Sequence, residues 1–586
     1  MNLQSIIDSL ISDTLQRSLP LFKPELALCI AIVVLLVSRV IPLLDRIPPV
    51  AIALVGAVAA LVVAMPEDGL ASLGSIERQE LFTGMLVYDS VTAYLRLFLM
   101  AFAVLFVILS ALTGIADPSD GQDYYALVFG ATIGMCIMAS SNHLLSVFLG
   151  VEMASVPSYV LSGIVKGRRR SSEAALKYAV YGAGAAGVML YGASLLAGLL
   201  GTAHIPTMAE RLVEFDIAGK LADRELSVMV LALGGLMLGV GLAFKLSAVP
   251  FHFWCPDVFE GASAEIGGFL SVASKAAALA LLVRVGVGLG AEPQDMAKTG
   301  DPPRSLASAV SAEANAGGDG MRFVTLQERG GAEDSSPVVN TQESNDPAAA
   351  ARETPLSPVR TFFVTIVAVV GVVSCTFGNL AAYGQKNIKR MLAYSTIAHA
   401  GFMMMPVAAA VALIGRNSVA ASEAIAALLL YATIYLFMNL GAFAIVAFLR
   451  NSMQSEEIKD YAGLIGRSPV IAVAMTLILV SLIGLPPLAG FWPKLRVLQS
   501  LYEAGGPLLM FVLVAAAINT AISLVYYLRV AKTMCIDPQP DTSRPVQLGF
   551  LSTTYIVAVV LPVVILGFTP DRVAQWTQQA AAGLFG

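Results

Sequence analysis

The stretch GGFLSVASKAAALALLVRV, residues 267–285, is apolar for the length of a bilayer crossing apart from Lys275 and Arg284. About 20 predominantly apolar residues span a hydrocarbon core as one helix, and a charge held at mid-depth is costly there. The segment therefore reads both as a membrane helix and as a place where an ionisable group is kept for a purpose. The rest of the chain extends this reading. Of its 586 residues 57% are hydrophobic and only 13% are Asp, Glu, Lys or Arg, against about 25% charged in soluble proteins. Apolar windows centred near residues 34, 56, 103, 133, 154, 187, 238, 277, 369, 402, 435, 478, 517 and 558 predict an all-α membrane protein of about fourteen crossings. No basic lead or small-residue cleavage site precedes the first window, so no removed signal peptide is expected.

Composition also excludes chemistry. The five cysteines, Cys29, Cys136, Cys255, Cys375 and Cys535, are far apart and form no CxxC pair, so the chain is not expected to hold an iron–sulfur cluster or a metal. His143, His204, His252 and His399 share no repeated spacing within a helix, which argues against paired haem ligands. No Gly-rich dinucleotide fingerprint follows a strand, and no feature points to nucleic acid. The chain is expected to carry no electrons itself.

Basic residues in short loops set the orientation. Loops on one side, including Arg168 to Arg170 and Lys386 to Arg390, collect fifteen Lys and Arg, whereas the other side collects nine with the long insertion and Lys494 left out. The richer side should be cytoplasmic, which places both termini outside, on the periplasmic side of a bacterial inner membrane. Residues 291–357 break the pattern with eleven acidic and five basic residues and one aromatic, a composition expected of a disordered, solvated insertion. Pro250 lies 126 residues after the fourth crossing begins at 124, and Pro486 lies 128 after the ninth begins at 358. Proline-interrupted helices at matching places in two halves point to a transport site. The resulting division is 1–123 for the lead and first three crossings, 124–290 for a first five-helix repeat, and 291–357 for the insertion. A second repeat follows at 358–530, then the last crossing with a short tail at 531–586.

Four ionisable residues stand out in the apolar segments: Glu152, Lys245, Lys275 and Lys494. A carboxylate brought to an ammonium favours the charged form, and drawing it away favours proton release, so such a set can act as a proton relay with a valve. Lys494 reads equally as an interfacial anchor beside Trp492 and Arg496. Lys177, near one end of its span, is a relay member or a lysine whose stem snorkels to the surface. His252 and His399 are either hydrogen-bonded packing residues or proton carriers between lysines. Arg96, Arg284 and Glu265 have no partner legible in the sequence.

Six segments resemble one family closely: GVEMASVPSYVL (150–161), SSEAALKYAVYGAGAAGVMLYG (171–192), FKLSAVPFHFWCPDVFEGA (244–262), GNLAAYGQKNIKRMLAYSTIAHAGF (378–402), YLFMNLGAFAIVAFLRN (435–451) and SLIGLPPLAGFWPK (481–494). They look like successive signatures of the antiporter-like membrane subunits of proton-pumping NADH:quinone oxidoreductase, respiratory complex I, in the subunit N version. The resemblance implies fourteen crossings and two inverted five-helix repeats, each with a broken helix. It further implies Glu152 and Lys245 as a gating pair, Lys275 as central proton carrier, Lys494 as outlet lysine and Lys177 as an additional lysine near the first pair. NADH, FMN, iron–sulfur clusters and quinone would then be bound by partner subunits. The neighbours in the membrane would be the antiporter-like M and small K and J types. Subunits L and M, multisubunit cation/proton antiporters and membrane-bound hydrogenases share the Glu and Lys scheme. The segment 256–278 resembles the N version in particular, and the chain stops too soon after the last crossing for the long lateral helix of subunit L. Two departures are local. The family commonly has Pro where Ser263 or Ala264 stands, with Glu265 adding a carboxylate, and Gly where Pro493 precedes Lys494.

Overall fold

The computed structural model describes residues 3–41, 46–66, 69–116, 120–223, 225–291, 355–539, 546 and 548–585. The insertion assigned to 291–357 falls, but for its two ends, outside the described residues. A short helix, Leu3–Ser12, opens the chain, and the segment Ile7–Leu21 meets the next helix at 83°. The helices then run α1 (Lys23–Ser38), α2 (Pro49–Ala64), α3 (Ser90–Thr113), α4 (Gly121–Ser140), α5 (Leu144–Ser162), α6 (Arg169–Leu200) and α7 (Leu226–Leu246). After a break come α8 (Trp254–Gly261) and α9 (Ala264–Gly290). Beyond the insertion lie α10 (Ser357–Ala382), α11 (Ile388–Leu413), α12 (Ser418–Met453), α13 (Pro469–Ile483), α14 (Phe491–Ala504), α15 (Gly506–Cys535), α16 (Phe550–Phe568) and α17 (Asp571–Ala582). A two-stranded antiparallel hairpin, β1 (Gln79–Leu81) and β2 (Leu86–Tyr88), lies between α2 and α3. Each of the fourteen expected centres falls within a helix. Among the described residues eleven helices are long and apolar enough to cross a bilayer, or twelve with the bent pair at α1, while α2 and α13 are shorter.

Backbone polar groups at membrane depth must be satisfied inside the protein, and the helix ends show how this is done. Asp89 accepts from Thr92 N to begin α3, Asn387 accepts from Lys389 N and Arg390 N to begin α11, and Asn417 accepts from Ala420 N to begin α12. Small residues bring helices to backbone contact: a Cβ on Gly401 of α11 would stand 2.5 Å from Gly371 O of α10. Such approaches are how helices gain packing where lipid offers no hydrophobic driving force.

Burial sorts the helices into an axis and a surround. In α9 every residue from Ala264 to Val287 is buried, and α11 and α12 are buried along most of their length. By contrast α6 exposes Leu176, Val180 and Leu190, and α15 exposes Phe511, Val514 and Ile518, as lipid-facing helices do. The two interruptions fall where the prolines stand. The chain is non-helical through Ser247 and Pro250 between α7 and α8, and again at Gly484 to Gly490, around Pro486 and Pro487, between α13 and α14. Gly484 ends α13 at φ +89°, and a Cβ there would lie 2.7 Å from Lys494 Cδ. Gly484→Ala is therefore expected to cost about 1–2 kcal/mol through the left-handed backbone alone and to displace the Lys494 stem. A lowered midpoint of thermal unfolding would show the cost.

Candidate functional site

A helix interrupted by proline leaves carbonyls without amide partners, and a buried cation beside them meets the negative end of the helix dipole. Both interruptions are closed in this way. Lys275, on α9 and 1% exposed, donates from Nζ to Leu246 O at 2.8 Å, the last residue of α7. Lys494, in the first turn of α14, donates to Leu482 O at 3.0 Å and Ile483 O at 2.8 Å at the end of α13. Its ammonium also lies 4.7 Å from the centroid of the Phe402 ring. The break and the lysine are thus one device: each supplies what the other lacks.

Lys245 sits in the last turn of α7, buried, and donates to Ser155 Oγ at 2.9 Å. Ser155 in turn donates to Val151 O at 2.5 Å. Glu152 lies on the same helix, α5, three residues before Ser155, half-buried beside a lipid-facing row of Leu149, Met153, Val156 and Val160. Among the described residues Glu152 makes no ion pair within 4.0 Å, so the Glu152 and Lys245 pair is open here, within electrostatic reach but not in contact.

His399, His252 and Lys177 have different surroundings. His399 on α11 is buried between two hydroxyls, Tyr431 at 2.9 Å from Nδ1 and Tyr527 at 3.1 Å from Nε2, and one turn before Phe402. Tyr527 bonds Ser395 as well, and the Tyr435 hydroxyl accepts from Asn439 Nδ2 at 2.9 Å. His252 lies in the first interruption against the ring of Phe377, 4.4 Å between centroids. Lys177 pairs with Glu173 and Asp257, each at 2.9 Å. Arg390 joins that cluster through Asp257 at 2.9 Å and Glu260 at 2.7 Å, tying α6, α8 and α11 together.

For Arg284 and Arg96 it is the partners that the sequence does not show. Arg284 is held by Asp89 in a two-pronged contact of 2.5 and 2.6 Å with Thr92 and Ala139 O completing its donors, and Arg96 pairs with Glu25 at 2.6 Å. Near the hairpin, His204 and Asn142 converge on Glu80 Oε1 at 3.1 and 3.0 Å. Burial pushes the Glu80 carboxyl up, but the hydrogen bond and charge of His204, with help from Arg78 and Asn142, outweigh it and hold the group below its ordinary value. Tyr431, Tyr435 and Asn439 recur every four residues along α12, a polar stripe on an apolar helix that could have been read from spacing. Among the described residues no group of three or more His, Cys, Asp or Glu is arranged to hold a metal.

Residues 141–295 and 348–520 match the family model described as NADH:quinone oxidoreductase/Mrp antiporter, TM. The NADH-quinone oxidoreductase subunit N of Anaeromyxobacter sp. (strain Fw109-5) is 34% identical over 567 residues, which cover 96% of each chain. The chain belongs to the subunit N family of NADH-quinone oxidoreductases. Among solved structures, a chain of respiratory complex I from Thermus thermophilus with bound aureothin is 26% identical with a TM-score of 0.64, covering 94% of this chain and 98% of that one. A chain of the Mrp complex from Dietzia sp. DQ12-45-1b shares the fold at 16% identity and a TM-score of 0.69, with 96% and 97% covered. As a subunit N, the chain is a multi-pass membrane component of the oxidoreductase. Its buried lysines lie inside both matched segments.

Proposed function

We propose that this chain moves protons across the membrane arm of NADH:quinone oxidoreductase through Glu152, Lys245, Lys275 and Lys494, with His399 bridging the two halves. The observation that carries the reading is the seating of two buried ammonium groups on the open carbonyl ends of two proline-broken helices, with His399 and its tyrosines near Lys494. Quinone reduction in partner subunits supplies the energy, and NADH, FMN and iron–sulfur clusters belong to those partners. Neighbouring M, K and J type subunits would pack against the lipid-facing helices, in the plasma membrane of a bacterium.

The physical cycle needs few parts. When Glu152 closes on Lys245 the ammonium is stabilised, and when the pair opens, as in this structure, the proton is free to pass inward. Lys275 holds it at the end of α7, His399 and the hydroxyls of Tyr431 and Tyr527 offer exchangeable sites, and Lys494 delivers it at the second break. Lys177 and His252 line the approach from the α8 side. In this reading α2 and the α13 and α14 pair complete fourteen crossings, both termini are periplasmic, and residues 124–290 and 358–530 are inverted repeats.

Glu152→Gln is the discriminating variant. Gln keeps the size of the side chain but cannot form the ion pair, so complexes are expected to assemble in normal amount on native gels while NADH-driven proton uptake into vesicles slows. Full assembly with an unchanged proton-to-electron ratio would overturn the gating role; loss of assembly would make the charge a packing device instead.

A further inference from the structure

Glu265 lies in the first turn of α9, 1% exposed, and its buried Oε2 has no hydrogen-bond partner among the described residues. Among the described residues no cation approaches it within 4.0 Å, in contrast to Asp89, which is closed on Arg284, and Glu25, closed on Arg96. A buried carboxylate kept only for packing is expected to be closed on its cation in that manner. The charge within electrostatic reach of Glu265 is Lys389 of α11, itself 3% exposed. Lys389 donates to Ala262 O at 2.7 Å, three residues before Glu265, and pairs with Glu456 at 2.9 Å. Glu456 is 18% exposed and has Arg450 at 3.5 Å. These groups form a descending row: Glu456 at the rim, Lys389 beneath it, Glu265 in the interior at the foot of the helix that carries Lys275.

We propose that Glu265 is an additional proton-relay carboxylate, loading Lys275 from the end of the bundle where α9 and α11 begin. The inference rests on the relay reading of Lys275. In the transfer, the Glu265 carboxylate takes a proton from hydronium supplied by the solvent beside Glu456, leaving water, and becomes the neutral acid. It then passes that proton to the neutral amine of Lys275, restoring the carboxylate and leaving an ammonium. Ten residues of helix separate the two, about 15 Å along the axis, so hand-over is not direct. Ser271 and Ser274 lie between them on α9, both buried. Helix α12 packs Leu440 and Phe443 against Gly267 and Gly268 and carries Asn439, whose Oδ1 is buried and unpartnered too. Unpaired buried acceptors of this kind are the sites at which internal water is held.

The test compares four variants in the intact complex reconstituted into liposomes. Glu265→Gln should assemble normally and lower the proton-to-electron ratio or the coupled rate by about tenfold, less than the 10²-fold or more of a relay group without bypass, because water offers a slower parallel route. Glu265→Asp should restore most of it. If Glu265 serves only to neutralise Lys389, the double variant E265Q/K389M will recover normal pumping, and that recovery would overturn the proposal, as would normal pumping by E265Q alone. Lys275→Met separates the two readings: impaired K275M with normal E265Q removes only Glu265 from the relay, whereas normal K275M removes the relay itself.

Discussion

Lys275→Met is expected to leave the complex assembled and to reduce proton transfer through this subunit by roughly 100-fold, the lower end of what a positioned proton-transfer group contributes. Methionine fills the same volume with a flexible apolar chain, so the fully buried site on α9 stays packed. What disappears is the ammonium that α9 seats on Leu246 O at the end of α7. The cost to folding is limited by the same change: an unpaired carbonyl is left behind, worth about 1–3 kcal/mol, while a buried charge is removed. Proton uptake by vesicles, measured beside NADH oxidation and native-gel assembly, reads the two effects separately. Normal pumping by a fully assembled variant would remove Lys275 from the path.

Asp89→Asn is expected to have the opposite profile, with assembly lost and no specific pumping defect in what remains. Asn keeps the cap on α3 that Asp89 provides to Thr92 N at 2.8 Å. It abolishes the charge that meets Arg284 Nη1 and Nη2 at 2.5 and 2.6 Å, and leaves a guanidinium buried at 6% exposure. Removing one member of a buried pair typically costs about 3–5 kcal/mol, because the survivor keeps its desolvation penalty. The double variant D89N/R284M should recover part of the lost assembly, since the stranded charge goes with it. Equal loss in single and double variants would mean that the contact to Asp89 is not what holds Arg284 in place.

The buried charges differ in what closes them. Asp89 and Arg284 are closed, two-pronged and fully supplied with donors, whereas Glu152 and Lys245 are open, and Lys275 and Lys494 rest on neutral carbonyls. In the sequence Glu152, Lys245, Lys275, Lys494 and Arg284 look alike, single ionisable letters in apolar runs, and Asp89 does not stand out beside them. Their positions and the two proline breaks were legible because hydropathy is local. Their partners were not, because Arg284 and Asp89 are 195 residues apart and Lys245 and Ser155 are 90 apart. Lys177 shows the limit. Its ion partner Asp257, brought round by the break before α8, is 80 residues away in the chain. The tyrosine hydroxyls around His399 were missed for another reason: Tyr in an apolar helix reads as bulk until a neighbouring helix presents an imidazole to it.

If the buried lysines are stations on one file, interrupting the file twice should do no more than interrupting it once, since groups acting as a unit are not additive. The decisive measurement is the proton-to-electron ratio of assembled complexes carrying K275M, K494M and both. The relay account predicts that each single variant is impaired and that the double variant is no worse than the more severe single. Losses that multiply, or single variants with a normal ratio, would contradict it.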